Sequence, residues 1–338
     1  MPEFSIVTGP TVARILGAHS ADVVDVVRRA YLAHDAGDTD NPPSAFLRFT
    51  DRPNDRIIAL LASIRDGNAA VDGMKWVASV PGNIDNGLAR ASAVVVLNDR
   101  RTGYPFACLE GSAISATRTA ASAALAARLC HPGGPERTTL GVVGAGPIAR
   151  TIVEYLFATG WTFDCVTFHD SDPGRARSAS AALSGQVEAA ENMVADTAEQ
   201  AVRESRLVVF ATTAAAPYIT NPACLDHNPT VLNVSLRDLD PALILAGSNI
   251  VDDVDHCLRA GTSVHLTEQQ TGSRDFVTGT LGDVLRGRVT LPTDRPIIFS
   301  PFGLGILDMA LGKFVYDRAV EEQAVQAVPD FFPPQVCL

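Results

Sequence analysis

Apolar positions along the chain keep two different rhythms, and the switch between them marks its organisation. Near the N-terminus Val23, Val24, Val27, Ala30 and Tyr31 recur at helical spacing, behind a Ser20-Ala21-Asp22 stretch able to cap a helix. Asn41-Pro42-Pro43 then breaks the chain. Short apolar runs follow at 45–49, 56–62, 74–78, 93–97 and 104–109, parted by turn residues, and 98–103 reads as a hairpin connection. Strands in succession with no helix between them predict an antiparallel or mixed sheet.

From position 112 the texture changes. The stretch SAISATRTAASAALAARLC is rich in alanine and predicts one long, tightly packed helix, ended by His131-Pro132-Gly133-Gly134-Pro135. Beyond it, buried-type apolar runs at 139–143, 165–168, 207–211, 231–234 and 250–251 alternate with helical stretches such as 148–158 and 174–183. That alternation predicts an α/β doubly wound parallel sheet of the Rossmann kind. Positions 303–319 read as helix again, returning to the first domain.

Composition narrows the class. The 338 residues, 46% hydrophobic and 19% charged, suffice for two domains with a large core. No apolar run reaches a membrane-spanning length, and the N-terminal residues lack the pattern of a signal peptide, so the expected place is the cytoplasm. A net charge of -11 argues against nucleic acid as a partner. Six scattered cysteines (Cys108, Cys130, Cys165, Cys224, Cys257 and Cys337) form no CxxC pair and read as buried free thiols. The seven histidines show no metal-binding spacing, so no metal is expected.

The chemistry-bearing motif is the run TTLGVVGAGPIARTIVEYL. An apolar strand leads into it and an amphipathic helix leaves it. Gly144 allows the tight turn, Gly146 lets backbone approach a pyrophosphate, and Ala149 lets helix and strand pack closely. Pro147 suits a first helical turn, and the amides around Ile148 lie at the positive helix end, where a phosphate binds. The next strand ends at Asp170, which can accept ribose hydroxyls and repel a 2′-phosphate, favouring NAD over NADP. Arg175 and Arg177 nearby could instead take a phosphate. His169 could face the nucleotide or simply pack.

At this point the chain resembles the ornithine cyclodeaminase/μ-crystallin family. The segment ASAVVVLND, then TGYPFACLEGSAISATRTAA, the Gly144 turn, NVSLRD and SPFGLGILD carry the likeness. It implies a Rossmann NAD-binding domain at 130–302 and a discontinuous α+β domain, 1–129 with 303–338, which binds substrate and joins sheets into a homodimer, with a cleft between the two domains. It also implies that Arg48, Lys75 and Arg118 hold a substrate carboxylate, a role suited to guanidinium forks and an ammonium. Arg48 could also be a surface strand residue. Lys75 lies between Met74 and Trp76 and would need a partner if buried. Arg56 and Arg90 are further candidates for extra acid groups. Asp238 matches the acidic residue beside the reacting amine; with Lys75 it forms the candidate catalytic pair, although Asp240 competes and either could cap the helix before Pro241. Arg118, Thr119, Thr212, Thr213, Ser235, Phe302 and Gly303 complete the candidate cofactor contacts.

Within the family, FLR at 46–48, RIIA at 56–59, KW at 75–76 and LND followed by YP are similar to the branch that makes 2,3-diaminopropionate for siderophores and peptide antibiotics. That likeness implies NAD-dependent oxidative hydrolysis of N-(2-amino-2-carboxyethyl)-L-glutamate. The cyclodeaminase branch carries a glutamate where this chain has Ile57-Ile58-Ala59-Leu60. Ornithine or lysine cyclodeamination, an alanine dehydrogenase or imine reductase, and a nucleotide-holding protein without turnover stay open as alternatives.

Overall fold

The computed structural model describes residues 3–67, 70–184 and 191–333. The chain opens with β1 (Phe4–Val7), α1 (Gly9–Ala18), α2 (Ser20–Asp35), β2 (Thr39–Asp40), β3 (Ala45–Arg48), β4 (Arg56–Ile64), β5 (Val71–Ser79), β6 (Ala91–Asn98), β7 (Pro105–Glu110) and α3 (Gly111–Cys130). It continues through β8 (Thr138–Val143), α4 (Pro147–Ala158), β9 (Phe163–His169), α5 (Pro173–Ser184), β10 (Glu191–Val194), α6 (Ala198–Arg203), β11 (Leu207–Phe210) and β12 (Thr230–Asn233). Then come α7 (Pro241–Ala246), β13 (Ser248–Val251), α8 (Val254–Cys257), α9 (Ser263–Thr271), β14 (Val277–Thr280), α10 (Leu281–Leu285) and β15 (Ile297–Ser300). The last elements are α11 (Gly305–Glu321) and β16 (Gln326–Val328). Two compact units result: Met1–Arg118 with Leu304–Leu338, and Thr119–Gly303. The division falls within α3, because that helix runs on past it to the break at 131–135.

In the first unit one sheet has the order β16-β1-β7-β6-β5-β4-β2, with β3 also on β4. It is mixed: β1 runs parallel to β7, and the neighbours from β7 to β2 are antiparallel. Strand alternation buries Leu60, Ala62, Ile64, Val71, Val95, Leu97 and Leu109 on one face. There α11 packs on β4, β5 and β6, and α2 packs on α11. Gly73 of β5 is a close-approach position, since a Cβ there would stand 2.9 Å from the Met309 sulfur of α11. The opposite face leaves Leu47, Leu61, Trp76 and Val94 exposed.

The start of this unit differs from the expectation. Ser20 is the first residue of α2 rather than its cap, because Gly9–Ala18 already forms a helix and His19 is the joint between the two. His19 Nδ1 meets Asp22 in that first turn at 3.0 Å.

In the second unit eight strands take the order β10-β9-β8-β11-β12-β15-β13-β14, and every neighbouring pair is parallel. Chain direction across the sheet reverses between β8 and β11, which makes their carboxyl ends the switch point of a doubly wound fold. β11, β12, β13 and β15 are buried throughout, as a sheet covered on both faces requires. The alanines of α3 at 120, 121, 123, 124, 126 and 127 are buried. Cys130, Cys224 and Cys257 are buried free thiols; Cys108 and Cys165 are free but only half-buried, and Cys337 lies outside the described residues. Among the described residues no helix is long and apolar enough to cross a membrane, and no group of three or more His, Cys, Asp or Glu could hold a metal ion.

Candidate functional site

The glycine turn follows β8 in the second unit. Gly144 has φ +93°, a conformation that L side chains rarely adopt, and a Cβ there would lie 2.5 Å from the Ala211 carbonyl oxygen. Gly146 caps α4 with extended backbone, and nothing lies within 4 Å of where its Cβ would be. Pro147 takes the first helical position, Ile148 follows half-buried, and Ala149 is fully buried against the sheet. An open glycine edge at the start of a 12-residue helix without a side-chain cap fits a dinucleotide pyrophosphate.

Asp170, at the end of β9, is already engaged. Its Oδ2 accepts from Ala145 N at 2.8 Å and its Oδ1 from Asp172 N at 2.9 Å, so it ties the glycine turn to the second strand. Each oxygen keeps a second lone pair for a ribose hydroxyl. Arg175 lies 3.5 Å from Asp172, and Arg177 is exposed. The His169 ring packs, with Nδ1 3.1 Å from the Ala195 carbonyl.

Asp238 lies beyond β12 and is wholly buried. Its Oδ1 accepts hydrogen bonds from the Thr212 hydroxyl and, at 2.9 Å, from the Tyr218 hydroxyl. Its Oδ2 is buried without a hydrogen-bond partner among the described residues. Burial and the adjacent Asp238 charge push the Tyr218 phenol well up, so it stays protonated and donates. Asp240, the competing aspartate, caps α7 by accepting from Ala242 N at 3.0 Å. The helix-cap reading therefore belongs to Asp240. Thr213 is exposed next to Thr212, and Thr119 is half-buried on α3.

Ser235, Ser300 and Phe302 line a small pocket with Asn233 and Cys257. Ser235 Oγ and Asn233 Oδ1 are buried there without partners among the described residues. Asp252 holds two of its lining residues, accepting from Phe302 N at 3.0 Å and from the Cys257 thiol at 2.9 Å, and it also accepts from Gly303 N at 2.7 Å. Gly303 takes φ +98°, a conformation that favours glycine.

In the first unit, Lys75 of β5 is 2% exposed. Its ammonium donates to Asp308 Oδ2 at 2.8 Å and to Ser115 Oγ at 2.9 Å. Arg118 Nε donates to the other Asp308 oxygen at 3.3 Å. Burial lowers the Lys75 pKa to about 8; Asp308 opposes that fall and Arg118 adds to it. The remaining cations stand elsewhere on the sheet. Register sets Arg48 opposite Arg56, and Arg56 opposite Ser79, four residues along β5 from Lys75. Arg90 precedes β6 at the same end, where its carbonyl accepts from Val80 N. The structure thus brings Lys75 and Arg118 together, and places Arg48 and Arg56 about 13 Å further along the strands, with Arg90 one residue beyond the Ala91 that pairs with Ser79. Arg48 is exposed, with its guanidinium 5.2 Å from the Phe46 ring centroid.

The family model of ornithine cyclodeaminase/mu-crystallin matches residues 12–323. The chain belongs to this family. An N-((2S)-2-amino-2-carboxyethyl)-L-glutamate dehydrogenase of Staphylococcus aureus is 28% identical over 315 residues, covering 90% of this chain and 92% of that protein. The solved structure of Thermococcus litoralis Delta(1)-pyrroline-2-carboxylate reductase with NADH and L-proline shares the fold. Its TM-score is 0.88 at 22% identity, over 96% of this chain and all of that one. The structure of CmnK superposes with a TM-score of 0.85 at 27% identity, covering 98% of this chain and 100% of the other.

Two residues of this family member escape a reading of the sequence. Asp308 lies in GILDMALG, where a lone acid amid apolar residues signals a buried charge needing a partner. Tyr218 sits in a loop and carries no local signal; only the fold sets its hydroxyl on Asp238.

Proposed function

We propose that the chain is an NAD-dependent oxidoreductase acting at the amine-bearing carbon of an amino-acid-derived substrate. Its specific reaction is oxidative hydrolysis of N-(2-amino-2-carboxyethyl)-L-glutamate. Asp238 carries this reading: a buried carboxylate at the carboxyl edge of a dinucleotide-binding sheet, with one oxygen clamped by two hydroxyls and the other unengaged among the described residues. Such a group is suited to a developing iminium and to the water that attacks it.

Gly144, Gly146 and the α4 amides hold the pyrophosphate, and Asp170 meets the adenosine ribose. When bound, NAD would supply the acceptor for the hydride lost from the α-carbon of the glutamate moiety. Lys75 and Arg118 bind a substrate carboxylate and fix which carbon is presented. Arg48, Arg56 and Arg90 serve the remaining acid groups of a tricarboxylate. Asp238 stabilises the iminium and takes a proton from the water adding to it. Collapse of the carbinolamine releases 2,3-diaminopropionate and 2-oxoglutarate. The exposed apolar face of the first sheet supports a homodimer.

The test mixes purified protein and NAD with N-(2-amino-2-carboxyethyl)-L-glutamate, and separately with L-ornithine. The expected result is one NADH per 2-oxoglutarate and diaminopropionate formed from the first substrate. Proline and ammonia from ornithine, without NADH build-up, would overturn it in favour of cyclodeamination.

A further inference from the structure

Three charged side chains from distant parts of the first unit meet inside it. Lys75 comes from the middle of a sheet strand, Arg118 from α3 and Asp308 from α11. Asp308 is 0% exposed, and both of its oxygens are engaged: Oδ2 faces the Lys75 ammonium and Oδ1 faces Arg118 Nε. Carboxylates are rarely buried so completely unless paired. One carboxylate against two cations leaves one surplus positive charge in a place where water screens little. Such a surplus calls for one anion.

We propose that Asp308 is the positioning residue of the substrate-carboxylate site: it aims Lys75 and Arg118 at the same anion and keeps Lys75 protonated to receive it. This rests on the reading above, in which those two cations bind substrate. Arg118 spends Nε on Asp308, and among the described residues the terminal nitrogens of the fork remain as donors to a carboxylate. Lys75 spends two protons, on Asp308 and Ser115, and retains a third.

The groups around Lys75 decide what Asp308 does there. β4 and β6 set Leu60 and Val95 beside it, neither of which titrates. α3 faces it with Ser115 and Arg118, and α11 with Asp308. Burial and Arg118 both disfavour the ammonium, so Asp308 is the charged group that sustains it. The sign follows. A lysine with a pKa near 8 is charged at neutral pH and loses its proton as pH rises through that value, so carboxylate affinity falls on the alkaline side. Without Asp308 that limb moves to lower pH.

The experiment compares wild type with Asp308→Asn by two readouts. The first is the titration of Lys75 Nζ in lysine-labelled protein, followed by nitrogen-15 NMR, which needs no turnover. The second is 2-oxoglutarate affinity by calorimetry at pH 6.5 and 8.5. In the variant the Lys75 midpoint is expected to fall, and 2-oxoglutarate affinity at pH 8.5 to drop about tenfold or more, with a smaller loss at pH 6.5. An unchanged midpoint, or tighter anion binding at both pH values from loss of negative charge alone, would overturn the proposal. If wild type does not bind 2-oxoglutarate, the substrate reading fails, and the Lys75 midpoint still decides whether Asp308 sustains the ammonium. Should Asp308→Asn not fold, Asp308→Glu keeps the charge and displaces it by one methylene. Weaker 2-oxoglutarate binding with a near-unchanged Lys75 midpoint is then expected, and unchanged affinity would overturn the idea.

Discussion

At the scale of single residues, the proposed role of Asp238 rests on how its carboxylate is held. Its Oδ1 is held by Thr212 and Tyr218, which leaves Oδ2, without a hydrogen-bond partner among the described residues, as the edge proposed to react. Asp238→Asn keeps the shape and removes the charge. The expected outcome is a fall in kcat of about 10²-fold or more, with NAD affinity unchanged, read by steady-state kinetics and by NAD titration. Tyr218→Phe removes one of two donors to a buried carboxylate and should cost about 1.5–3 kcal/mol of whatever that orientation supplies. Retained turnover in the Asp238 variant would remove this residue from the mechanism. The choice between Asp238 and Asp240 was not legible in the sequence, since both follow the same strand. What separates them is that Asp240 finds a helix N–H two residues on, whereas Asp238 finds hydroxyls 26 and 20 positions back.

Elements were legible where local rules act alone. The hairpin from β6 to β7, the alanine-rich α3 and the strand-glycine-helix passage each rest on residues adjacent in sequence, and each stands close to where the pattern puts it. β1 and β16 were not anticipated, because both are short and their partners are remote in sequence: β16 is the edge strand, and β1 lies between it and β7. Asp308 hid for the same reason, its partners lying 233 and 190 positions away. Within the glycine turn, the structure separates two roles that the motif joins. Gly144→Ala forces a side chain into a left-handed conformation against a carbonyl, and should destabilise the protein by about 1–3 kcal/mol. Gly146→Val meets open space at φ -75°, so unfolding should barely change while NAD affinity falls. Denaturant melts and NAD titrations of both variants check the split; a destabilised Gly146→Val that binds NAD normally would refute it.

For the whole molecule, the first sheet raises a question that its own helices do not answer. Its inner face is buried under α11, yet the other face presents Leu47, Leu61, Trp76 and Val94 to solvent at 38–49% exposure. Register makes them neighbours rather than scattered residues: Trp76 stands opposite Val94 on β6 and Ala59 on β4, and Leu47 stands opposite Ile57. A contiguous apolar patch on a sheet is the surface that a second copy can cover, and a two-fold arrangement sets the same residues against themselves. A charge placed at the centre of such a face would be buried twice in the assembly and not at all in the separate chain. Trp76→Glu should therefore split the proposed homodimer into single chains, read as a halving of mass by light scattering, while circular dichroism stays unchanged. Because Lys75 is the next residue on β5 and points to the opposite face, the same variant also asks whether substrate binding depends on assembly. If turnover survives in the separated chains, each first unit is sufficient with its own second unit. If it is lost together with the dimer, the sheet-to-sheet contact holds β5, and with it Lys75, in working order.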